Sequence, residues 1–255
     1  MKNKNNIRGI QYGYSEMFAQ YMYDEPSRRN KALRAIEMFK DYSVTDLKLQ
    51  NCLEVGSATG IMTYYLSDYF SEVVGIDIDK PALEYARSNY KKDNIEYYEM
   101  DALKMDFDDD HFDTIVCHHT YEHVADDSIL MDEIYRVLRS GGLLCFGAPN
   151  RLMIKESHYN IYFLSWFPKR ISSIILKFSG HGDYYYESMR TYWGIKKLLK
   201  RFSKTHDYTF ECIVNPERYY SLDVMKDQKF IQWLPKPLVK ALVPFAPDLV
   251  LLAVK

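Results

Sequence analysis

Long hydrophobic runs are missing from this 255-residue chain. Its greasiest segment, Pro237 to Val254, is broken by Lys240, Pro244, Pro247 and Asp248, so it is not expected to span a bilayer, which takes about 20 mostly apolar residues. The N-terminal Met1-Lys2-Asn3-Lys4-Asn5-Asn6 is polar and leads into no apolar stretch of the kind a secretory leader carries, so a cytoplasmic location is expected. Charge of one sign is not in excess either. With 33 Lys+Arg against 35 Asp+Glu, the formal net charge of -2 supplies no electrostatic reason for a nucleic-acid partner. Cysteine is sparse: Cys52, Cys117, Cys145 and Cys212 lie far apart without C-x-x-C spacing, which excludes zinc-ribbon and disulfide frameworks. Three of them fall in apolar strand-like runs and read as reduced core residues. Internal repeats are absent. What remains, 47% hydrophobic and 27% charged residues, is the composition of a globular protein long enough to bury one full core. The 23 tyrosines, accompanied by frequent Lys, Asn and Ile, read as compositional bias rather than a tyrosine surface.

Within that background one stretch organises the chain. Cys52-Leu53-Glu54-Val55 is an apolar strand, Gly56-Ser57-Ala58-Thr59-Gly60 a small-residue turn, and Ile61 onwards a helix. Glycines at 56 and 60 let backbone N–H groups and a helix N-terminus approach a ligand closely. Ala58 in place of a middle glycine, Ile61 where a last glycine would fall, and Glu54 before the turn set it apart from the dinucleotide fingerprint. A second buried strand, Glu72 to Asp79, follows, and Pro81 opens the next helix. Asp77 lies about twenty residues past the turn, where a strand-tip carboxylate accepts hydrogen bonds from ribose hydroxyls, with Ile78 beside it.

These residues resemble motif I of the class I S-adenosylmethionine-dependent methyltransferases: a strand, an acid, then Gly-x-Gly-x-Gly, here with one substitution at Ala58. The resemblance extends over residues 48–150. It takes in Asp101-Ala102 at the end of a third strand (Ile95–Met100) and Arg136-Val137-Leu138-Arg139-Ser140-Gly141-Gly142, close to the R-V-L-K-P-G-G segment of small-molecule members. It implies S-adenosyl-L-methionine as cofactor, bound by Glu54, Gly56, Ser57, Ala58, Gly60, Asp77, Ile78, Asp101, Ala102 and His118. Glu54 would suit the cationic sulfonium and Asp101-Ala102 the adenine. The implied fold is α/β: a Rossmann-like, doubly wound, seven-stranded and mostly parallel sheet with helices on both faces. Helical insertions follow strand five and separate strands six and seven. The expected layout is an N-terminal helical lid over 1–47, a cofactor-binding core over 48–150, an acceptor-side insertion over 151–190, and a C-terminal helix and strand pair over 191–255. Strand five is read as Leu143–Pro149, the helix before it as Ser128 to Ser140, the next helix as Thr191 to Phe202, and strands six and seven as Tyr208–Val214 and Leu249–Val254.

The fourth strand, His111 to Cys117, delivers His118-His119-Thr120-Tyr121-Glu122-His123 to the edge where ligands of such sheets bind. Methyl transfer asks the protein to align donor and acceptor and, for a hydroxyl acceptor, to remove a proton. His118 and His119 are the candidate bases, with Glu122 and His123 as catalytic support. The last two equally read as a hydrogen-bonded pair that closes the loop. Glu122-His123 matches the end of the E-x-x-E-H motif linked to a divalent metal in ubiquinone-biosynthesis O-methyltransferases. His119 replaces the first acid, so no metal is assigned. Neither an Asn/Asp-Pro-Pro-Tyr nor a Pro-Cys motif is present, which argues against adenine-N and cytosine-C5 enzymes. The expected function is transfer of a methyl group to oxygen of a small-molecule, sugar or lipid-linked acceptor. The competing readings are a non-catalytic cofactor-binding scaffold and an NAD-type oxidoreductase. The aromatic, basic and apolar stretch 161–178 is read as a cap over the acceptor, with peripheral contact at the inner face of the membrane as the rival and extra core as the plain alternative.

Overall fold

The computed structural model describes residues 14–42, 46–222, 231 and 233–255. The N-terminal residues up to 13, part of the expected lid, and 223–230 of the second insertion lie outside them. In chain order the elements are α1 (Tyr14–Met17), α2 (Ala19–Met22), α3 (Glu25–Tyr42), β1 (Asn51–Val55), α4 (Ile61–Leu66), β2 (Glu72–Asp77), α5 (Lys80–Asn89), β3 (Ile95–Glu99) and β4 (Phe112–His118). They continue as α6 (Asp127–Val137), β5 (Leu138–Pro149), α7 (Lys169–Phe178), α8 (Tyr192–Leu198), β6 (Lys204–Asp207), α9 (Thr209–Val214), α10 (Lys236–Leu242) and β7 (Asp248–Val254).

The expected α/β architecture is observed. One seven-stranded sheet has the order β3-β2-β1-β4-β5-β7-β6. β1 to β5 run parallel, and β7 pairs antiparallel with both β5 and β6. Strand alternation divides the core in two. Leu53, Val55, Ile115, Cys117, Leu144 and Phe146 point to the side covered by α6 and α8. Cys52, Val116 and Cys145 point to the side covered by α3 and α4, where Ile36, Met38, Phe39, Met62 and Leu66 meet them. A sheet buried on both faces needs near-continuous apolar strands, which is what β1, β4 and β5 supply. The order reverses between β1 and β4, so a crevice opens there at the carboxyl ends of the strands.

Several boundaries differ from the sequence reading. The stretch Tyr208–Val214 is not a strand: residues 209–214 form α9, and the edge position beside β7 is taken by Lys204–Asp207. Asp207 Oδ1 accepts the Thr209 amide at 3.0 Å, and Thr209 and Cys212, one helical turn apart, are both buried. Phe, Ile and Val in that segment favour a strand locally, but packing against β7 overrides the preference. The helix expected to reach Ser140 ends at Val137, because Leu138 already pairs with Phe112 in the sheet. The helix expected over Thr191 to Phe202 is α8 followed by a 3₁₀ turn at Leu199–Arg201. All four cysteines are free and buried, as expected, although Cys212 lies on α9. No helix among the described residues is long and apolar enough to cross a membrane.

Candidate active site

The crevice holds a cavity of about 250 Å³ whose walls come from three places. The strand tips give Gly56, Ala58, Asp77, Ile78, Asp101, Ala102, His118 and His119; the N-terminal helices give Tyr14, Tyr21, Met22, Arg28 and Lys31; Ser157 and His158 come from beyond β5. Of the ten residues expected to bind the cofactor, Gly56, Ala58, Asp77, Ile78, Asp101, Ala102 and His118 line it, while Glu54, Ser57 and Gly60 do not. Alternation along β1 turns Glu54 toward α4, where it accepts the Thr63 hydroxyl. Burial there pushes its carboxyl up to about 8, against the Thr63 hydrogen bond and the Arg28 guanidinium. Ser57 and Gly60 build the turn. Gly60 has φ +76°, and a Cβ on it would strike Ala86 and Tyr97.

The turn is drawn tight by Asp77. Its Oδ2 accepts the Ala58 amide and its Oδ1 the Asp79 amide, both at 2.8 Å. Ala58 sits at φ 47°, a conformation costly for a residue with a Cβ. Gly56, at φ +79°, has no room for one, because the Thr120 side chain occupies the place. Burial raises the Asp77 carboxyl, which the amides of Asp79 and Ala58 partly offset.

β4 ends with two histidines in different situations. His118 is buried with Nε2 3.3 Å from Cys145 Sγ, and its ring fills the space where Gly147 lacks a Cβ. His119 has φ 53°, which turns it back between two acids: Nε2 is 3.3 Å from Asp248 and Nδ1 is 3.9 Å from Glu122 Oε1. Burial lowers both imidazoles below their ordinary value, His118 strongly. Burial alone would raise Asp248, but His119, Lys31 and Arg34 hold it well below the usual carboxylate range. Glu122 and His123 are paired at 3.6 Å, and burial pushes Glu122 up to about 8.

The sequence reading, which gave only a helical lid over 1–47, missed the contribution of α3: Arg28, Lys31 and Arg34, three residues apart, form a basic row on the inward side. Arg34 is spent on the carbonyls of Tyr219 and Tyr220 at 3.0 and 3.1 Å. Arg28 donates to the Tyr21 carbonyl at 3.2 Å and approaches Met22 Sδ at 3.0 Å. Among the described residues neither Arg28 nor Lys31 has a carboxylate in ion-pair contact, and burial brings Lys31 down to about 8. The expected cap also differs: none of 161–178 lines the cavity, and the residues that reach it are Ser157 and His158. Leu164 and Leu176 instead pack with Tyr185 in a small core of their own.

A carboxylate at a strand tip, a glycine turn, apolar walls from Met100, Ala102 and Ile78, and two cations with no carboxylate in ion-pair contact among the described residues suit a nucleoside joined to an amino acid. The comparisons agree with that geometry. Residues 53–146 match the family model described as methyltransferase domain. An uncharacterised methyltransferase of Bacillus subtilis is 30% identical over 93 residues, 35% of this chain and 37% of that one. The demethylmenaquinone methyltransferase of Lactococcus lactis is 26% identical over 171 residues, 60% and 68% of the two chains. In fold, the S-adenosylmethionine-dependent methyltransferase of Mesorhizobium loti superposes with a TM-score of 0.58 at 16% identity over 88% of this chain and 96% of that one. This chain spans about two fifths of the length of several curated relatives it matches. In sequence over residues 53–146, and in fold over most of its length, the chain is similar to S-adenosylmethionine-dependent methyltransferases. A methyltransferase domain on this fold implies S-adenosyl-L-methionine as the cofactor.

Proposed function

We propose that the protein transfers the methyl group of S-adenosylmethionine to an oxygen atom of a small, largely apolar acceptor presented at a membrane surface. The observation that carries the transfer is His119, held between Asp248 and Glu122 on the same cavity as Asp77 and Gly56. When bound, the cofactor supplies an electrophilic methyl group on a sulfonium. Asp77 would take the ribose hydroxyls, Asp101 and Ala102 would flank the adenine, and Arg28 and Lys31 would take the carboxylate of the methionine portion. Asp248 accepts from His119 Nε2–H, which leaves the lone pair on Nδ1 to receive the acceptor's proton.

The membrane part rests on exposed apolar side chains. Phe163, Trp166, Phe167, Ile171, Ile174 and Phe178 stand in solvent beside the basic Lys169, Arg170 and Lys177. The Lactococcus relative's acceptor, by its name a demethylmenaquinone, is of this apolar kind. The test is methyl transfer from radiolabelled cofactor into a panel of quinols, phenols, sugars and acyl carriers. Label extracted with a lipid-soluble phenol or quinol is expected. Label confined to sugars or acyl carriers overturns the acceptor class, and no label with tight cofactor binding favours a scaffold.

A further inference from the structure

Beside His119, the cavity wall formed by His123 and His158 meets a buried carboxylate, and the three make a cluster that no step of the proposed methyl transfer requires as a unit. The ligand atoms of Glu122, His123 and His158 all lie within 4.8 Å of one another. The Glu122 side chain has no solvent exposure, and among the described residues neither of its oxygens accepts a hydrogen bond. A buried carboxylate whose ion-pair contacts among the described residues are imidazoles at 3.6 and 3.9 Å is costly, and such groups are normally hydrogen-bonded or bound to a cation. His158 is held from behind: its Nδ1 is 2.7 Å from Glu156 Oε1, while Glu156 Oε2 accepts the amides of His158 and Tyr159, both at 2.9 Å. That pairing commits Nδ1 and leaves Nε2 as the ring nitrogen able to coordinate, the usual carboxylate–histidine arrangement behind a metal ligand.

We propose that Glu122, His123 and His158 form a binding site for a divalent transition ion of the zinc type, with its open coordination position facing the cavity. Two imidazoles and one carboxylate favour zinc, cobalt or ferrous iron over magnesium or calcium, which take oxygen ligands. Bonds of about 2.0–2.2 Å in a tetrahedron put ligand atoms about 3.4 Å apart. Glu122 Oε1 and His123 Nε2 are 3.6 Å apart, so this edge is already nearly formed. His158 comes from the segment after β5, and its ligand atom already lies within 4.8 Å of those of Glu122 and His123. His123 and His158 both border the cavity. His119, whose Nδ1 is 3.9 Å from Glu122, stands beside the open position, where an oxygen or nitrogen of an acceptor would bind. This set is not the one expected of the E-x-x-E-H motif, because its third member lies 35 residues beyond His123 in the chain. The proposal concerns ion binding alone and holds or fails independently of which acceptor is methylated.

The test uses the full chain, freed of any affinity tag, stripped with chelator and titrated with zinc against a chromophoric indicator. Metal content is read by plasma mass spectrometry and geometry from the visible spectrum after cobalt loading. One zinc per chain is expected, not displaced by excess magnesium, together with the intense visible bands of four- or five-coordinate cobalt. His158→Ala and Glu122→Gln should each weaken zinc at least tenfold, and Glu156→Gln about tenfold through loss of the orienting carboxylate. Circular dichroism and S-adenosylhomocysteine affinity on the same samples show that each variant is folded and that the cofactor end is intact. These controls separate failure of the ion site from failure of the methyltransferase reading. If Glu122→Gln does not fold, His158→Ala decides the matter. No stoichiometric zinc in the stripped and reloaded protein, or zinc affinity unchanged in His158→Ala, overturns the proposal.

Discussion

Asp77 does two jobs with one carboxylate, since it ties down the amides of Ala58 and Asp79 and faces the cavity. Asp77→Ala should therefore weaken S-adenosylmethionine by on the order of 1–3 kcal/mol, read by calorimetry, and also lower the melting temperature, whereas Asp77→Asn retains an acceptor and loses less. Unchanged affinity in both variants would remove Asp77 from the cofactor site. His119→Ala should reduce turnover about 10²-fold with cofactor affinity nearly intact. Equal rates would move the base elsewhere. Glu54 yields a pH prediction. Burial raises its folded carboxyl from the ordinary 4.5 to about 8, so the folded state holds a proton that the unfolded state releases. Its stabilising contribution is full below about pH 4.5 and is lost as pH rises through about 8. Urea midpoints between pH 5 and 8.5 should fall less steeply in Glu54→Gln than in wild type, and parallel profiles would contradict this. These single residues were unequally visible in the sequence. Gly56 and Asp77 announce themselves by spacing, because the turn and the next strand tip are neighbours in the chain as in space. Lys31 and Arg28 do not, because their side chains acquire a role only when α3 lies against the crevice.

Elements show the same division. β1 to β5 and their helices are legible because each is a local pattern: an apolar run, a glycine or proline stop, an amphipathic repeat. α9 is not, since Thr209-Phe210-Glu211-Cys212-Ile213-Val214 has strand-forming residues and becomes helical only because β6 occupies the sheet edge. The expected strand and the observed helix differ in tertiary packing, which no local pattern records. α7 is legible as amphipathic but not in direction. Its inward side is Ser172 and Leu176, and Ile171, Ile174 and the 90% exposed Phe178 face out. That arrangement predicts flotation with anionic liposomes at low salt, reduced at high salt and in a Trp166→Ala, Phe178→Ala variant. Absence of flotation for wild type at low salt would leave α7 as a packing element only.

At the scale of the molecule, the sheet provides a fixed floor and the N-terminal segment a separate wall. α3 is fastened by Arg34 to the carbonyls of Tyr219 and Tyr220, so the helix bearing Arg28 and Lys31 is moored to the C-terminal half of the chain. α1 and α2 are held more lightly. The Ser15 amide donates to Asp79 at 2.8 Å, the Thr59 hydroxyl to the Met22 carbonyl at 2.7 Å, and the Tyr21 hydroxyl to the Ser157 carbonyl at 3.0 Å. Tyr21→Phe removes the last of these, and stopped-flow release of S-adenosylhomocysteine should accelerate about two- to fivefold, the effect of one partly exposed hydrogen bond. An unchanged release rate would mean that traffic goes another way. These three bonds also bear on timing. They tie the N-terminal segment both to the glycine-turn side of the cavity and to the loop bearing His158. On the proposed function, loosening any one of them should speed release of spent cofactor more than it alters the chemical step at His119.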